Sequence, residues 1–262
     1  MFLNAIIGIG ISLLIAGLAY LKKSLDKSGL YTATILGAVI YAFGGIVVWG
    51  SLIAFFISSS LITKVSEKSE KEESKGRNYI QVLANGLVAG IFSILYYFLQ
   101  LEIFLIAAVV SIATSNSDTW ASEIGRLSKG KTFYILNFKI APKGVSGAIS
   151  GLGTFASALG SLFIAGVFLG LYALVFGLDF TQFMFFGAVI TICGFLGNLI
   201  DSYLGGSIQA KYRGIETGTY TEKGWLPNEK VVLASGLAMI TNDAVNLLSG
   251  LAASILTVVL FL

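Results

Sequence analysis

The feature that most constrains this chain is the placement of its basic residues between long apolar runs. All 17 Lys and Arg residues fall in four short stretches, and the apolar runs that separate these stretches contain none of them. Hydrophobic residues make up 56% of the chain and charged residues 12%, which leaves little sequence for a water-soluble domain. Apolar runs of this length are typical of helices that cross a lipid bilayer. The sequence therefore predicts an all-α fold, a single polytopic transmembrane helix bundle over residues 1–262.

We interpret the chain as about eight apolar segments, within a range of six to nine. They are 2–20, 30–47, 48–63, 79–98, 102–117, 145–177, 180–206 and 230–260. The second and third are divided because one straight helix over 30–63 would exceed the bilayer core of about 30 Å. With eight spans, four connections lie on one side of the membrane. They are 21–29, 64–78, 118–144 and 207–230. By the positive-inside rule we expect this side to face the cytoplasm, with both termini outside and the protein in the cytoplasmic membrane.

Residue types limit the chemistry that the chain can perform. It has no histidine, and Cys193 is its only cysteine, which excludes zinc sites built on these residues and catalysis by imidazole. Oxygen ligands remain, and they favour a hard cation such as Mg²⁺. The net charge of +3 is small, and it reflects the basic loops rather than an affinity for nucleic acid.

Three polar clusters follow or interrupt the apolar runs, and each contains one aspartate. These aspartates are Asp118, Asp201 and Asp243. Ionisable side chains inside a membrane or at its edge are functional candidates by default. Because carboxylates that converge on one pocket repel one another, we predict that all three are Mg²⁺ ligands and catalytic residues. Amides and hydroxyls beside them are expected to bind substrate or nucleotide: Asn198, Ser202, Asn242 and Asn246.

Basic residues follow Asp118 closely along the chain. Among them, Lys143 stands between Pro142 and Gly144, which predict a turn with exposed backbone N–H groups. Carboxylates for Mg²⁺ beside cations for phosphate oxygens are the combination that phosphoryl transfer requires. We therefore predict that Lys143 is catalytic. Further residues expected to contact substrate or nucleotide are Arg126, Lys129, Gly144 and Asn85; for Asn85 a hydrogen bond between helices is an equally open interpretation.

Four motifs resemble those of one family of integral membrane proteins. They are Asp118-Thr-Trp-Ala-Ser-Glu-Ile-Gly-Arg126, Pro142-Lys-Gly-Val-Ser-Gly147, Gly197-Asn-Leu-Ile-Asp-Ser202 with Gln209, and Asn242-Asp-Ala-Val-Asn246. Over nearly its whole length the chain is similar to the uncharacterised family that includes plant phytyl-phosphate kinase. More distantly, it is similar to the CTP-using phosphatidate cytidylyltransferases and dolichol kinases. The resemblance implies a nucleoside triphosphate of the CTP type and a lipid monophosphate as substrates, and it adds Glu123 and Gln209 to the expected binding residues.

Our leading hypothesis is a phosphotransferase, a lipid-phosphate kinase that acts on an isoprenoid or similar alkyl monophosphate with Mg²⁺. The acceptor phosphate is already an oxyanion near neutral pH, so no strong general base is needed. A cytidylyltransferase that forms a CDP-lipid is the close alternative. A transporter or ion-coupled permease is the alternative from another class, because broken helices with Asn and Asp near Gly also fit such proteins. The polar clusters lie near the ends of the spans rather than at their midpoints, which argues against transport.

Overall fold

Seven long helices make up most of the described part of the chain. A computed structural model describes residues 2–70, 76–227 and 229–261. The helices are α1 (Phe2–Leu21), α2 (Lys27–Glu70), α3 (Tyr79–Leu99), α4 (Glu102–Arg126), α5 (Gly151–Phe176), α6 (Phe180–Ser207) and α7 (Asn242–Phe261). Each is long and apolar enough to cross a membrane, which confirms the predicted helical membrane bundle. The predicted loop 64–78 includes residues 71–75, which lie outside the described ranges.

Helix α2 is a hairpin of two helical segments rather than one straight rod. Gly45 interrupts it with φ 67° and ψ −171°, outside the helical region. Leu36 and Leu52 line the same cavity, although a straight helix would separate them by about 24 Å. At the open end of the hairpin, the Lys64 ammonium donates to the Lys22 carbonyl oxygen at 3.0 Å. Helix α2 therefore provides two spans, and the predicted division of this region is confirmed, with the turn at Gly45.

Helix α4 lies at the centre of the bundle. Its most apolar window is 83% buried, whereas the corresponding windows of the other six helices are between 22% and 44% buried. It contacts α2, α3, α5, α6 and α7. Small side chains such as Ala107, Ala108 and Ala113 let these neighbours approach closely, as expected for helix packing in lipid. Residues at the end of α4 therefore face several helices at once.

Helix α4 also extends beyond its predicted end at residue 117. Its last turns are polar, but their hydroxyls bond back to the preceding turn: Thr119 Oγ1 donates to the Ser115 carbonyl at 3.0 Å and Ser122 Oγ to the Thr119 carbonyl at 3.1 Å. Such bonds satisfy polar side chains within a helix. The apolar pattern ends at Ser117, whereas the helix ends at Arg126, so the motif that begins at Asp118 is helical and not part of a loop.

Two small antiparallel sheets form in the connections at one end of the bundle, and the sequence did not predict them. The first has the order β2-β1-β3, with β1 (Thr132–Tyr134), β2 (Ile140–Ala141) and β3 (Ala148–Ser150). The second has the order β5-β4-β6, with β4 (Lys211–Gly214), β5 (Tyr220–Thr221) and β6 (Val231–Ser235). They shorten two predicted spans: α5 begins at Gly151 rather than 145, and α7 at Asn242 rather than 230. Hydropathy cannot distinguish a short apolar strand from the first turns of a helix.

The connections that carry the basic residues meet at one end of the bundle, which we call the basic end. There, Thr63 Oγ1 on α2 donates to Glu123 Oε1 on α4 at 3.1 Å. The connections that contain the two sheets also touch, because the Ser146 backbone N–H donates to Glu222 Oε1 at 3.0 Å. That the basic end faces the cytoplasm, which would place both termini outside, stays a prediction.

Candidate active site

A polar cavity of about 230 Å³ opens at the basic end, where α4, α5 and α6 meet the loop between β2 and β3. It is lined by residues that lie far apart in the sequence. The predicted site residues in its lining are Asp118, Arg126, Lys143, Gly144, Asn198, Asp201, Ser202 and Asn242. The structure thus brings together side chains from all the polar clusters and from the Lys143 turn. We call this space the polar cavity.

Asp118 and Asp201 lie side by side in the polar cavity, with their carboxyl groups within hydrogen-bonding reach of each other. Asp201 is buried, and its Oδ2 accepts a hydrogen bond from the Ser249 hydroxyl at 3.0 Å. With its amide nitrogen turned toward Asp201, Asn246 donates to the same oxygen at 3.1 Å. Two adjacent carboxylates repel each other unless a proton or a cation lies between them. The pair is therefore a place for a shared proton or a positively charged ligand.

Asn198 adds a buried acceptor to the same cavity. The residue is only 4% exposed, and its Nδ2 donates to the Ser157 hydroxyl at 2.8 Å. Its Oδ1 is buried and has no partner among the described residues. A buried polar atom without a partner costs about 1–3 kcal/mol, so a ligand, a metal ion or water is expected to complete its bonding. Asn198 precedes Asp201 by one helical turn, as expected for two residues that share a helix face.

The donor atoms of the polar cavity fit Mg²⁺. They are carboxylate, amide and hydroxyl oxygens, the ligands that hard cations prefer. Within the described ranges, no three His, Cys, Asp or Glu side chains form a cluster that could hold a metal ion. The Asp118–Asp201 pair thus offers two carboxylates, and Mg²⁺ commonly binds one or two carboxylates while water and substrate phosphates complete its shell.

The helical repeat of α4 decides which of its polar residues reach the cavity. Asp118, Ser122 and Arg126 follow at intervals of four residues and all line it. Glu123 lies five positions after Asp118, about 140° around the helix, and points instead toward α2, where Thr63 donates to it. The structure therefore does not place Glu123 in the cavity, although the family motif contains it.

Lys143 lies in a glycine-bearing loop at the edge of the cavity. Its ammonium donates to the carbonyl oxygen of Ser128. Gly144 has φ 76° and Gly147 φ 83°, values that favour glycine. A Cβ on Gly147 would lie 2.4 Å from the Cα of Gly206, so the loop packs directly on the backbone of α6. The predicted turn is present, but a strand follows it before α5 begins.

The prediction that three aspartates converge is wrong for Asp243. Asn242 lines the cavity and Asn246 bonds to Asp201, so these two residues of α7 share the face that points to the site. Asp243 is absent from the cavity lining, and it is rotated by about 100° around the helix from Asn242 and by about 60° from Asn246. It is half-buried in the first turn of α7, where a carboxylate interacts favourably with the helix dipole.

Four other predicted residues also lie outside the lining of the polar cavity, and one of them, Asn246, contacts it through Asp201. Lys129 is exposed in the connection that follows α4. Asn85 donates to the carbonyl of Gln81 at 2.8 Å and accepts at its own carbonyl from Ser115 at 3.4 Å, so it makes contacts within and between helices. Gln209 is 2% exposed, and its side-chain amide donates to Ser146 and Glu222 at the cavity edge.

The sequence reasoning missed several polar residues of the site, among them Ser122, Ser249, Ser157, Ser146 and Glu222. Ser249 could have been predicted from the sequence, because it lies three positions after Asn246 and continues one polar stripe along α7. Ser157 is one small residue among many in α5, and no pattern distinguishes it. The contact between Ser146 and Glu222 joins two connections, so only the folded structure shows it.

The fold and the cavity define a class of protein, a polytopic helical membrane protein with a carboxylate pair in a polar pocket at the basic end of its bundle. The chain belongs to the family described as integral membrane protein DUF92, whose sequence model matches residues 10–254. The family resemblance inferred from the motifs is thereby confirmed.

Similar proteins occur in archaea and plants. An uncharacterized membrane protein of Methanocaldococcus jannaschii is 35% identical over 201 residues, which cover 73% of this chain and 78% of that protein. Protein PGR of Arabidopsis thaliana is 33% identical over 276 aligned residues, which cover 94% of this chain and 92% of that protein. The chloroplastic protein VTE6 of the same plant is 31% identical over 211 residues, 75% of this chain and 60% of that protein. No solved structure matches the chain.

Proposed function

We propose that this protein is a Mg²⁺-dependent lipid-phosphate kinase, which transfers a phosphoryl group from a nucleoside triphosphate of the CTP type to an isoprenoid or similar alkyl monophosphate. The observation that carries the proposal is that Asp118 and Asp201 share one cavity with the glycine-bearing turn of Lys143. Phosphoryl transfer needs positioning and charge stabilisation more than covalent catalysis, and carboxylates with a basic residue provide both.

The carboxylates and the amide oxygen of the cavity would bind the ion. Asp118, Asp201 and the unpartnered Oδ1 of Asn198 are the residues that would hold Mg²⁺, and the bound ion would neutralise charge on the triphosphate. Asn246 and Ser249 keep Asp201 in place through their hydrogen bonds to Oδ2. Such supporting bonds commonly orient metal-binding carboxylates.

The basic residues of the cavity would bind the phosphoryl group that is transferred. Lys143 and Arg126 both line the cavity and stabilise negative charge that develops during transfer. An oxygen of the lipid monophosphate attacks the γ-phosphorus. The bond from that phosphorus to the bridging oxygen breaks, and the nucleoside diphosphate leaves with the bonding electrons. The attacking oxygen already carries charge near neutral pH, which suits a chain without histidine.

The position of the cavity supports a lipid acceptor. It opens at the end of a membrane bundle, where an alkyl chain can stay between helices or in lipid while its phosphate reaches the polar groups. The resemblance to the family that includes plant phytyl-phosphate kinase supports an isoprenoid monophosphate as the acceptor. We also propose that the basic end faces the cytoplasm, where nucleoside triphosphates are available, because it carries the basic connections.

The test incubates the detergent-purified protein with Mg²⁺, CTP or ATP, and a set of lipid monophosphates, and identifies the products by mass spectrometry. A lipid diphosphate supports the kinase, and its formation should be lost in Asp118→Asn. A CDP-lipid would instead assign the cytidylyltransferase reaction. If no product forms, no nucleotide binds and Asp118→Asn changes no measured property, the enzyme proposal is wrong and transport becomes the better hypothesis.

A further inference from the structure

Glu222 places a carboxylate of the protein itself at the edge of the polar cavity. It lies just after β5, and its carboxylate accepts three hydrogen bonds from the opposite connection and from the segment before β4. Oε1 accepts from the backbone N–H of Ser146 at 3.0 Å and from the Ser146 hydroxyl. Oε2 accepts from the Gln209 side-chain amide at 2.9 Å. Glu222 itself is exposed, whereas the groups that bind it are fixed in the fold.

The donors around Glu222 are held in place independently of it. Gln209 is 2% exposed, and its Nε2 also donates to the Ser146 hydroxyl at 2.8 Å. The Lys211 ammonium donates to the Ser146 carbonyl at 3.2 Å and to the Gly206 carbonyl at 3.5 Å, which adds a positive charge behind the loop. Gly147, which follows Ser146 in the chain, packs on Gly206 so closely that no side chain fits between them. The donors therefore form a rigid cradle.

The cradle has the properties of a site for phosphate oxygens. It offers a backbone N–H, a hydroxyl and an amide N–H beside the Lys211 ammonium, and such donors bind phosphate as well as carboxylate. Ser146 and Glu222 line the same cavity as Asp118 and Lys143. A carboxylate that served only to join two connections would not need to add negative charge to a cavity that already holds two aspartates.

We propose that Ser146, Gln209 and Lys211 form a phosphate subsite, and that Glu222 occupies it as a tethered carboxylate until a substrate phosphate displaces it. The inference rests on the proposed function for the identity of the phosphate, which comes either from the lipid monophosphate or from the nucleotide. In both cases the phosphate takes the donors that Glu222 releases. The β5 side of the connection then moves away from the Ser146 loop. Phosphate binding therefore breaks the contact between Glu222 and Ser146, which closes the edge of the cavity in the free protein.

The test measures binding rather than turnover, so that it does not depend on the kinase reaction. The full-length protein in detergent is titrated with farnesyl monophosphate and, separately, with CTP, and the rise in its melting temperature gives the half-saturating concentration. In Glu222→Gln the tethered charge is gone, so at least one probe should bind about tenfold more tightly than to the wild type. The probe that gains affinity identifies which phosphate uses the subsite. Adding Ser146→Ala to Glu222→Gln should remove the gain.

Glu229→Gln is the matched control, because Glu229 belongs to the same connection but binds the backbone N–H groups of Glu216 and Thr217 instead. It should leave both affinities unchanged. If Glu222→Gln lowers the melting temperature too far to titrate, Glu222→Asp replaces it. Its shorter side chain loses contacts with the cradle but keeps its charge, so it should show a smaller gain in the same direction. Equal or weaker binding of both probes in these variants overturns the proposal. If Glu222→Gln gains affinity but the wild-type protein forms no lipid diphosphate, the proposed phosphate subsite is supported and the proposed kinase function is wrong.

Discussion

Two cavities of the bundle contain charged and amide side chains, but these side chains have different partners in each. The polar cavity is bounded by α4, α5 and α6, whereas a smaller cavity of about 70 Å³ lies between α1, the α2 hairpin and α3. The smaller one, which we call the apolar cavity, is also lined by an arginine and amides, namely Arg77, Gln81 and Asn85. Both contain polar groups in apolar surroundings. They differ in whether other residues of the protein complete the hydrogen bonds of those polar groups.

In the apolar cavity, Arg77 is held by partners from the protein. Its guanidinium lies over the rings of Phe55 and Phe56, at 5.6 and 5.7 Å from their centres, and donates to the Ser59 hydroxyl at 3.1 Å. Burial lowers the pKa of Arg77, and the charge of Glu123 opposes that shift. In the polar cavity, by contrast, two carboxyl groups lie against each other, and the buried Oδ1 of Asn198 has no partner among the described residues. The candidate active site is thus marked by two adjacent carboxyl groups and an unpartnered amide oxygen that line one cavity, rather than by the presence of charged residues alone.

The largest effect is expected for the carboxylate pair. Asp201→Asn should lower the rate of lipid diphosphate formation by about 10³-fold or more, because it removes a negative charge from the proposed Mg²⁺ site. It should also weaken stabilisation of the purified protein by Mg²⁺ and CTP. Asp179→Asn is the matched control. Asp179 caps the opposite end of α6, where asparagine caps equally well, so this variant should retain the wild-type rate.

The next effect concerns the loop that completes the polar cavity. Gly147→Ala places a side chain at φ 83° and a Cβ within 2.4 Å of the Gly206 backbone, so it should lower the free energy of unfolding by about 3 kcal/mol. Thermal unfolding in detergent measures this change. Gly170→Ala, at a position in α5 where an added Cβ meets no atom within 4 Å, should leave the melting temperature unchanged or raise it. Equal melting temperatures for the two variants would show that the loop does not pack on α6 as described.

A smaller effect is expected for Arg77, and it tests whether the apolar cavity takes part in the reaction. Arg77→Gln removes two ring contacts and leaves Glu123 without its nearby positive charge, so we expect a loss of about 2 kcal/mol in stability. The KM for nucleotide should change less than twofold at a temperature where the variant stays folded. Lys27→Gln removes an exposed charge from the same region and serves as the control. A loss of nucleotide affinity in Arg77→Gln would make the apolar cavity part of the active site.

The smallest effect is a pH dependence next to the apolar cavity. The backbone N–H of Gly29 and the Ser28 hydroxyl donate hydrogen bonds to Asp26, both at 2.7 Å, and lower the pKa of its carboxyl group from the ordinary value. A carboxyl whose folded pKa is depressed stabilises the protein above its unfolded pKa, and this contribution is lost as the pH falls through the folded pKa. The melting temperature of Asp26→Asn should therefore lie below that of the wild type at neutral pH. The difference should shrink below about pH 4. A difference that stays constant over this range would contradict the assignment.

Much of the fold could be predicted because hydropathy and charge act along the chain. The eight spans follow from runs of apolar residues, and the single basic end follows from where Lys and Arg are placed. The same reasoning misplaced the ends of the spans. Apolar residues before Gly151 and Asn242 form strands, and the polar residues from Asp118 to Arg126 continue a helix, because local hydrogen bonding overrides hydropathy over short stretches.

The sequence by itself determined that this is a helical membrane protein with carboxylates and basic residues at one end. Only the tertiary structure decided which of these residues meet. Rotation about the helix axes brings Asp118, Asp201 and Asn246 together, and it turns Glu123 and Asp243 toward other surroundings. The contact of Glu222 with Ser146 joins two loops that are 76 residues apart. Hydropathy fixes how deep a residue lies in a bundle, whereas the direction of its side chain depends on how the helices and loops pack against each other.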